Sequence, residues 1–268
     1  MTRPAVVGPV ARWLAREGAY FATAVQFLTR LPVPRLTGFE PRWLDCAAGY
    51  FPLAGLMVGA ITAGVMWSAG QALPGMIPAI VAVAVGMLAT GAFHEDGLAD
   101  TFDGLGGGHT REQKLAIMKD SRVGTYGLAA LFIALTLKIA SLAALPLSLA
   151  IAALLAAHAG GRIVPVIASA LLPYGGETVG AKVAPISPSA ARIAFACATG
   201  LVPFALLPLW PSLLALAIGM ALAAVILAWA YRAIGGHTGD VLGAAEQAFE
   251  LAVLVVLAGA AGAAATGT

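Results

Sequence analysis

Seven stretches of about 20 predominantly apolar residues run through this chain, at approximately 49–70, 75–93, 126–145, 147–171, 191–210, 212–231 and 244–265. Each is long enough to cross the hydrocarbon of a bilayer as a helix. Composition points the same way, since 60% of the 268 residues are hydrophobic and only 10% are charged, against about 25% charged in a soluble domain. The expected fold is all-α, a polytopic membrane helix bundle of about seven transmembrane helices, forming one integral membrane domain over residues 1–268. Net charge is only +2, and the basic residues form no stripe, so nucleic acid is not expected as a partner.

Residues 10–31 set Arg12, Arg16 and Glu17 among Trp13, Leu14, Tyr20, Phe21 and Leu28. That segment is too charged to cross lipid but apolar at helical spacing, which predicts an interfacial helix in contact with membrane lipid. Pro32, Pro34 and Pro41 make a loop of the stretch between this helix and the first apolar run. The N-terminal segment lacks the apolar core and small-residue site of a cleaved signal peptide, so none is expected. Cys46 and Cys197 are far apart and read as small apolar fillers.

The connections alternate. Those at 71–74, Pro146 and Trp210–Pro211 are short and uncharged, whereas 94–125, 172–190 and 232–243 are longer and polar. Six of the 15 Lys and Arg residues lie in the N-terminal region, four (Arg111, Lys114, Lys119, Arg122) in the 94–125 loop, and Lys182, Arg192 and Arg232 in or beside the other two polar connections. The positive-inside rule then puts the N-terminus and all three polar loops in the cytoplasm, with the C-terminus outside. Three loops on one face can converge on one site.

The 94–125 loop is where chemistry is expected. Six of the 13 acidic residues fall between His94 and Gly127. If helix continues past Phe93, Asp96, Asp100 and Asp103 project at roughly 0°, 40° and −20° about its axis, on one face. Carboxylate oxygens without Cys are the ligand set of a hard cation such as Mg²⁺, which takes one or two carboxylates plus water and substrate phosphate. Phosphate chemistry assisted by metal at Asp96, Asp100 and Asp103 is the resulting expectation. Thr110 and Gln113 form a capping-box pattern opening a short helix, which delivers Lys119, Asp120, Ser121 and Arg122 to the same side. Arg122 suits bidentate phosphate contact, Lys119 is a weaker grip, and Asp120 either orients Arg122 or binds metal.

Further candidates lie in and beside the spans. Lys138 and Arg162 fall inside apolar runs, where a charge is costly and marks function by default. His158 stands four residues before Arg162, on the same helix face. In the third polar connection, Gly235, Gly236 and Gly239 surround His237 and Asp240, the latter either a ligand or the N-cap of the last span. Glu246, a turn or two inside that span, needs a partner or a position near the headgroups.

The stretches HEDGLADTFDG and REQKLAIMKDSRVGTYG closely resemble the bacterial cobalamin synthase family, adenosylcobinamide-GDP ribazoletransferases, and the similarity extends through FLTRLPVP, GYFPLAGLMVG, AHAGGRIVP and GGHTGDVLGAAEQ. The resemblance implies a Mg²⁺-dependent membrane transferase of late cobalamin biosynthesis. Such an enzyme joins α-ribazole, or its 5′-phosphate, to adenosylcobinamide-GDP and releases GMP. It also implies metal at Asp96 and Asp100 with Asp103 as a third ligand, phosphate grips at Arg122, Arg162 and Lys119 with His158 beside them, and a base among Asp240, His237 and the central aspartates. The sequence sets no oligomeric state, and a homo-oligomer is allowed for. CDP-alcohol phosphotransferases offer a mechanistic analogy only, because Asp96-Gly97-Leu98-Ala99 leads into Asp100 and not into their Ala-Arg, and the Asp100 to Asp103 spacing is one residue short of their motif. A transporter would be expected to show internal repeats and midplane charges, whereas most charges here gather at one face.

Overall fold

A computed structural model describes residues 8–34, 40, 42–176 and 185–266; Arg3, Arg35 and Lys182 of the charge count lie outside the described residues. Helix α1 (Pro9–Leu28) buries Tyr20, Thr23, Ala24, Val25 and Leu28 along one side and exposes Val10, Trp13 and Leu14 near its start. Glu17 ties it to the bundle by accepting two bonds from the Arg192 guanidinium, at 2.7 and 2.8 Å, and one from the Tyr50 hydroxyl at 2.7 Å.

The first span is longer than its apolar run. It begins at α2 (Trp43–Ala47), passes through a 3-10 turn at Ala48–Tyr50 and continues as α3 (Phe51–Gly70). The second run departs from a simple crossing. Helix α4 (Ile77–Thr90) ends at Gly91, whose φ of 68° caps it in the left-handed region that glycine adopts without steric cost, and Ala92 follows at φ 57°. The chain then turns by 88° into α5 (Phe93–Gly107). The acidic segment is therefore helical as expected, but it runs across the axis of α4 instead of extending it.

Helix α6 (Arg111–Met118) opens on the expected capping box, with Thr110 Oγ1 accepting from the Gln113 amide and Gln113 Oε1 accepting from the Thr110 amide. The remaining helices are α7 (Thr125–Ala144), α8 (Leu147–Gly161), α9 (Ile163–Leu171), α10 (Ala190–Leu201) with a 3-10 turn at Val202–Leu206, α11 (Leu209–Ile234) and α12 (Gly239–Thr266). Among the described residues, five helices are long and apolar enough to span a membrane, or six when α4 and α5 count together; the α10 segment is shorter. The bundle is thus that of a multi-pass helical membrane protein, and among the described residues five or six of the seven expected crossings have the length and hydropathy of a full span.

Helix α12 is the centre, packing against α5, α7, α8, α9 and α11, while α3 packs between α4 and α8. Helix α8 buries Ala150, Ala152, Ala153, Ala156, Ala157, Ala159, Gly160 and Gly161. Small side chains of this kind let backbones approach, which is how helices associate where lipid removes the hydrophobic drive.

Candidate active site

The three aspartates of α5 divide in their surroundings. Asp96 is exposed, Asp100 half-buried and Asp103 buried. Asp103 accepts from the backbone amides of Gly124 and Gly127 at 2.6 and 2.8 Å, so its two oxygens close off the amides that open α7. A carboxylate there also meets the positive end of the α7 dipole. Among the described residues, no three or more His, Cys, Asp or Glu side chains are gathered as a metal cage. The expected trio is accordingly split, with Asp96 and Asp100 on the open side and Asp103 fastening α5 to α7.

Asp240 meets this helix through its backbone. A Cβ on Gly97 would lie 2.8 Å from the Asp240 carbonyl oxygen, so only glycine permits the approach that sets the start of α12 against α5 beside Asp96. The N-cap of α12 is Thr238, whose hydroxyl accepts from the Val241 amide at 3.3 Å. Asp240 is not the cap; it lies in the first turn, where the helix dipole favours a carboxylate.

The second polar connection joins them. Pro173 and Gly175 exchange backbone bonds with His237 at 3.0 and 2.8 Å, forming a single bridge, and the Tyr174 ring meets the His237 ring edge-on at 5.8 Å. Arg111 closes the third side, donating from Nε to the Ile234 carbonyl at 3.0 Å and from Nη2 to the Gly175 carbonyl at 2.6 Å. Burial, and then the negative charge of Asp240, push the Tyr174 phenol up, while the Lys119 ammonium opposes them. All three polar connections therefore meet around Tyr174. Burial pushes the His237 imidazole below its usual 6.5, and its Nδ1 is buried with no hydrogen-bond partner among the described residues.

Lys119 and Arg122 occupy the exposed end of the KDSR segment. The Arg122 side chain is 87% exposed and forks onto Asp120, with Nε–Oδ1 at 3.0 Å and Nη2–Oδ2 at 2.6 Å. The same guanidinium bonds hold the Asp120 carboxyl down at about 2. Of the two roles expected of Asp120, orienting Arg122 is the one its contacts display.

His158 and Arg162 lie elsewhere. Arg162 is only 1% exposed and its Nη1 is held by Glu246 at 2.6 Å and by Glu250, while His158 Nδ1 stands 2.7 Å from Glu250. Lys138 joins the same cluster through Gln247 Oε1 at 2.6 Å and Glu250 Oε2 at 2.9 Å. Arg162 and His158, expected as a phosphate grip, thus sit in a buried ion network where two carboxylates already meet the guanidinium. Its intramembrane cations could have suggested Glu246 and Glu250 as partners from the sequence. Arg111 and Tyr174 carry no comparable signal, since their partners are backbone groups and loops far along the chain.

Likeness to known proteins extends over most of the chain. The family model described as cobalamin-5-phosphate synthase matches residues 20–258. The chain belongs to this family. A cobalamin synthase family protein of Leptothrix cholodnii, named adenosylcobinamide-GDP ribazoletransferase, is 42% identical over 249 residues, covering 89% of this chain and 94% of its own. Relatives of the same name from Ralstonia nicotianae and Ralstonia pickettii are 43% and 45% identical, covering 87% of this chain and 92% of theirs. No solved structure matches. The match to the cobalamin synthase family takes in α5, the KDSR segment and the His237–Asp240 turn alike.

Proposed function

We propose that this protein is an adenosylcobinamide-GDP ribazoletransferase, joining adenosylcobinamide-GDP to α-ribazole or α-ribazole 5′-phosphate with release of GMP, at the cytoplasmic face of a bacterial inner membrane. The observation that carries the reading is the meeting of three polar connections at one end of the bundle. There α5, Lys119 and the His237–Asp240 turn are brought to a single neighbourhood, with Arg122 three residues on from Lys119. The excess of Lys and Arg at that end supports the cytoplasmic orientation.

The donor set fits a magnesium ion shared with substrate. Asp96 and Asp100 present hard oxygens one helical turn apart on the open side, and Mg²⁺ takes one or two carboxylates, completing its shell with water and phosphate. We assign Asp96 and Asp100 as its holders, with Asp103 as the anchor of their helix. Bound there, Mg²⁺ would supply charge neutralisation to the pyrophosphate.

The reaction needs one bond made and one broken. A ribose hydroxyl of ribazole attacks the phosphorus that carries the cobinamide, the bridging P–O bond breaks, and GMP leaves with the electron pair. Lys119 and Arg122 hold the phosphates, Arg122 in the orientation set by Asp120. The hydroxyl proton passes to His237, whose neutral form burial favours and whose Nδ1 has no competing bond among the described residues. Purified protein with Mg²⁺, adenosylcobinamide-GDP and α-ribazole is expected to yield the cobalamin product and GMP in equal amounts. Absence of both, or release of GMP without the joined product, would overturn the proposal.

A further inference from the structure

The network around Arg162 is short of positive charge. Helix α5 contributes His94 and Glu95, α7 contributes Lys138, and α8 with its C-cap contributes His158 and Arg162. Helix α12 adds Glu246 and Glu250, whereas α3 and α4 contribute only the hydroxyls of Thr62 and Thr90. Three carboxylates, Glu95, Glu246 and Glu250, thus face the two fixed cations Lys138 and Arg162 inside the spans, where a net charge is strongly disfavoured.

The hydrogen bonds show the same deficit. Glu246 and Glu250 lie one turn apart on α12 and both set Oε1 against Nη1 of Arg162, Glu246 at 2.6 Å. That nitrogen has two hydrogens, yet the His158 carbonyl oxygen also lies 3.0 Å from it as a third acceptor. Acceptors outnumber hydrogens there. Glu246 is 0% exposed, and its Oε1 has no aligned donor. Glu250, by contrast, is well supplied, by His158 at 2.7 Å and Lys138 at 2.9 Å. The third carboxylate is differently placed, because Glu95 lines a cavity of about 30 Å³, room for roughly two waters to serve its unpaired Oε2.

We propose that Glu246 and Glu250 bind one proton between them in the folded protein, forming a buried acid–carboxylate pair. The proton sits on Glu246 and is donated to Glu250, because two carboxylates that share a site cannot both ionise. It neutralises one of the three carboxylates and gives the buried Glu246 Oε1 the bond it otherwise lacks. Nothing in the proposed transfer reaction uses this pair.

Infrared spectroscopy of the purified protein in detergent at neutral pH tests this directly. The expected result is a carboxylic acid carbonyl band, shifted by exchange into D₂O and absent from Glu246→Gln. That variant replaces a neutral acid with a neutral amide of the same shape, so it is expected to fold and to keep wild-type GMP release. Denaturing the wild type near pH 7 in weakly buffered solution should also release one proton more than denaturing the variant. A wild-type spectrum without the acid band, a band that persists in Glu246→Gln, or a Glu246→Gln chain that fails to fold would each overturn the proposal.

Discussion

Replacing Asp103 with asparagine preserves the shape of the side chain and removes its charge at a point where both oxygens are in use. The Gly124 and Gly127 amides donate to them at 2.6 and 2.8 Å, in a site where Asp103 is 6% exposed. An asparagine can accept one of these bonds, but its NH₂ then faces the other amide, donor to donor. A bond to a charged acceptor is worth about 1.5–3 kcal/mol, and the loss of charge at a helix N-terminus adds roughly 0.3–1 kcal/mol. Asp103→Asn should therefore lose about 2–4 kcal/mol of stability. Asp96→Asn, at an exposed position, should change stability by less than about 0.5 kcal/mol. Thermal unfolding of both variants in the same detergent, followed by helical circular dichroism, gives the comparison. An Asp103→Asn protein as stable as the wild type, inactive only in transfer, would refute the assignment of Asp103 as the fastening of α7 and return it to the metal.

Three other outcomes are expected. Arg162→Met leaves the buried Glu246–Glu250 pair without its guanidinium and should cost about 3–5 kcal/mol, seen as a large drop in the unfolding midpoint. Arg111→Ala removes the link from α6 to the Ile234 and Gly175 carbonyls, and should lower kcat/KM about tenfold or more through misplacement of the KDSR segment, with helix content unchanged. His237 is held below its usual 6.5 by burial. The unfolded chain protonates first as pH falls, so this residue's contribution lowers stability below about pH 6.5. Transfer activity should persist somewhat below that pH and then fall, and a His237→Gln variant should lose that acid limb in a pH–rate profile.

Apolar run length made the helical bundle legible, because the bilayer requires about 20 residues per crossing whatever their order. The 88° turn after α4 was not legible in the same way. Gly91 and Ala92 are as apolar as their neighbours, and what distinguishes them is a backbone conformation. The placing of the three aspartates was legible in part. Period alone puts Asp96, Asp100 and Asp103 on one face, but the partners of Asp103 lie 21 and 24 residues onward, where only the tertiary fold brings them. Arg162 and His158 were found as functional candidates because charge in a span is unusual, a signal that cannot separate a ligand grip from an ion pair until Glu246 and Glu250 are seen beside them. Convergence of the polar connections was anticipated from topology, whereas Arg111 and Tyr174, which hold them together, bond to or bridge backbone that has no sequence signature.

The central claim is that Asp96 and Asp100 hold the metal for phosphoryl transfer. It is tested most directly by GMP release from adenosylcobinamide-GDP and α-ribazole, across a Mg²⁺ titration, in wild-type, Asp96→Asn and Asp100→Asn proteins shown to be folded. Loss of about 3 kcal/mol of transition-state stabilisation, roughly a hundredfold in rate at saturating substrate, is the expected result for each variant. Full wild-type rates with an unchanged Mg²⁺ dependence in both variants would contradict it.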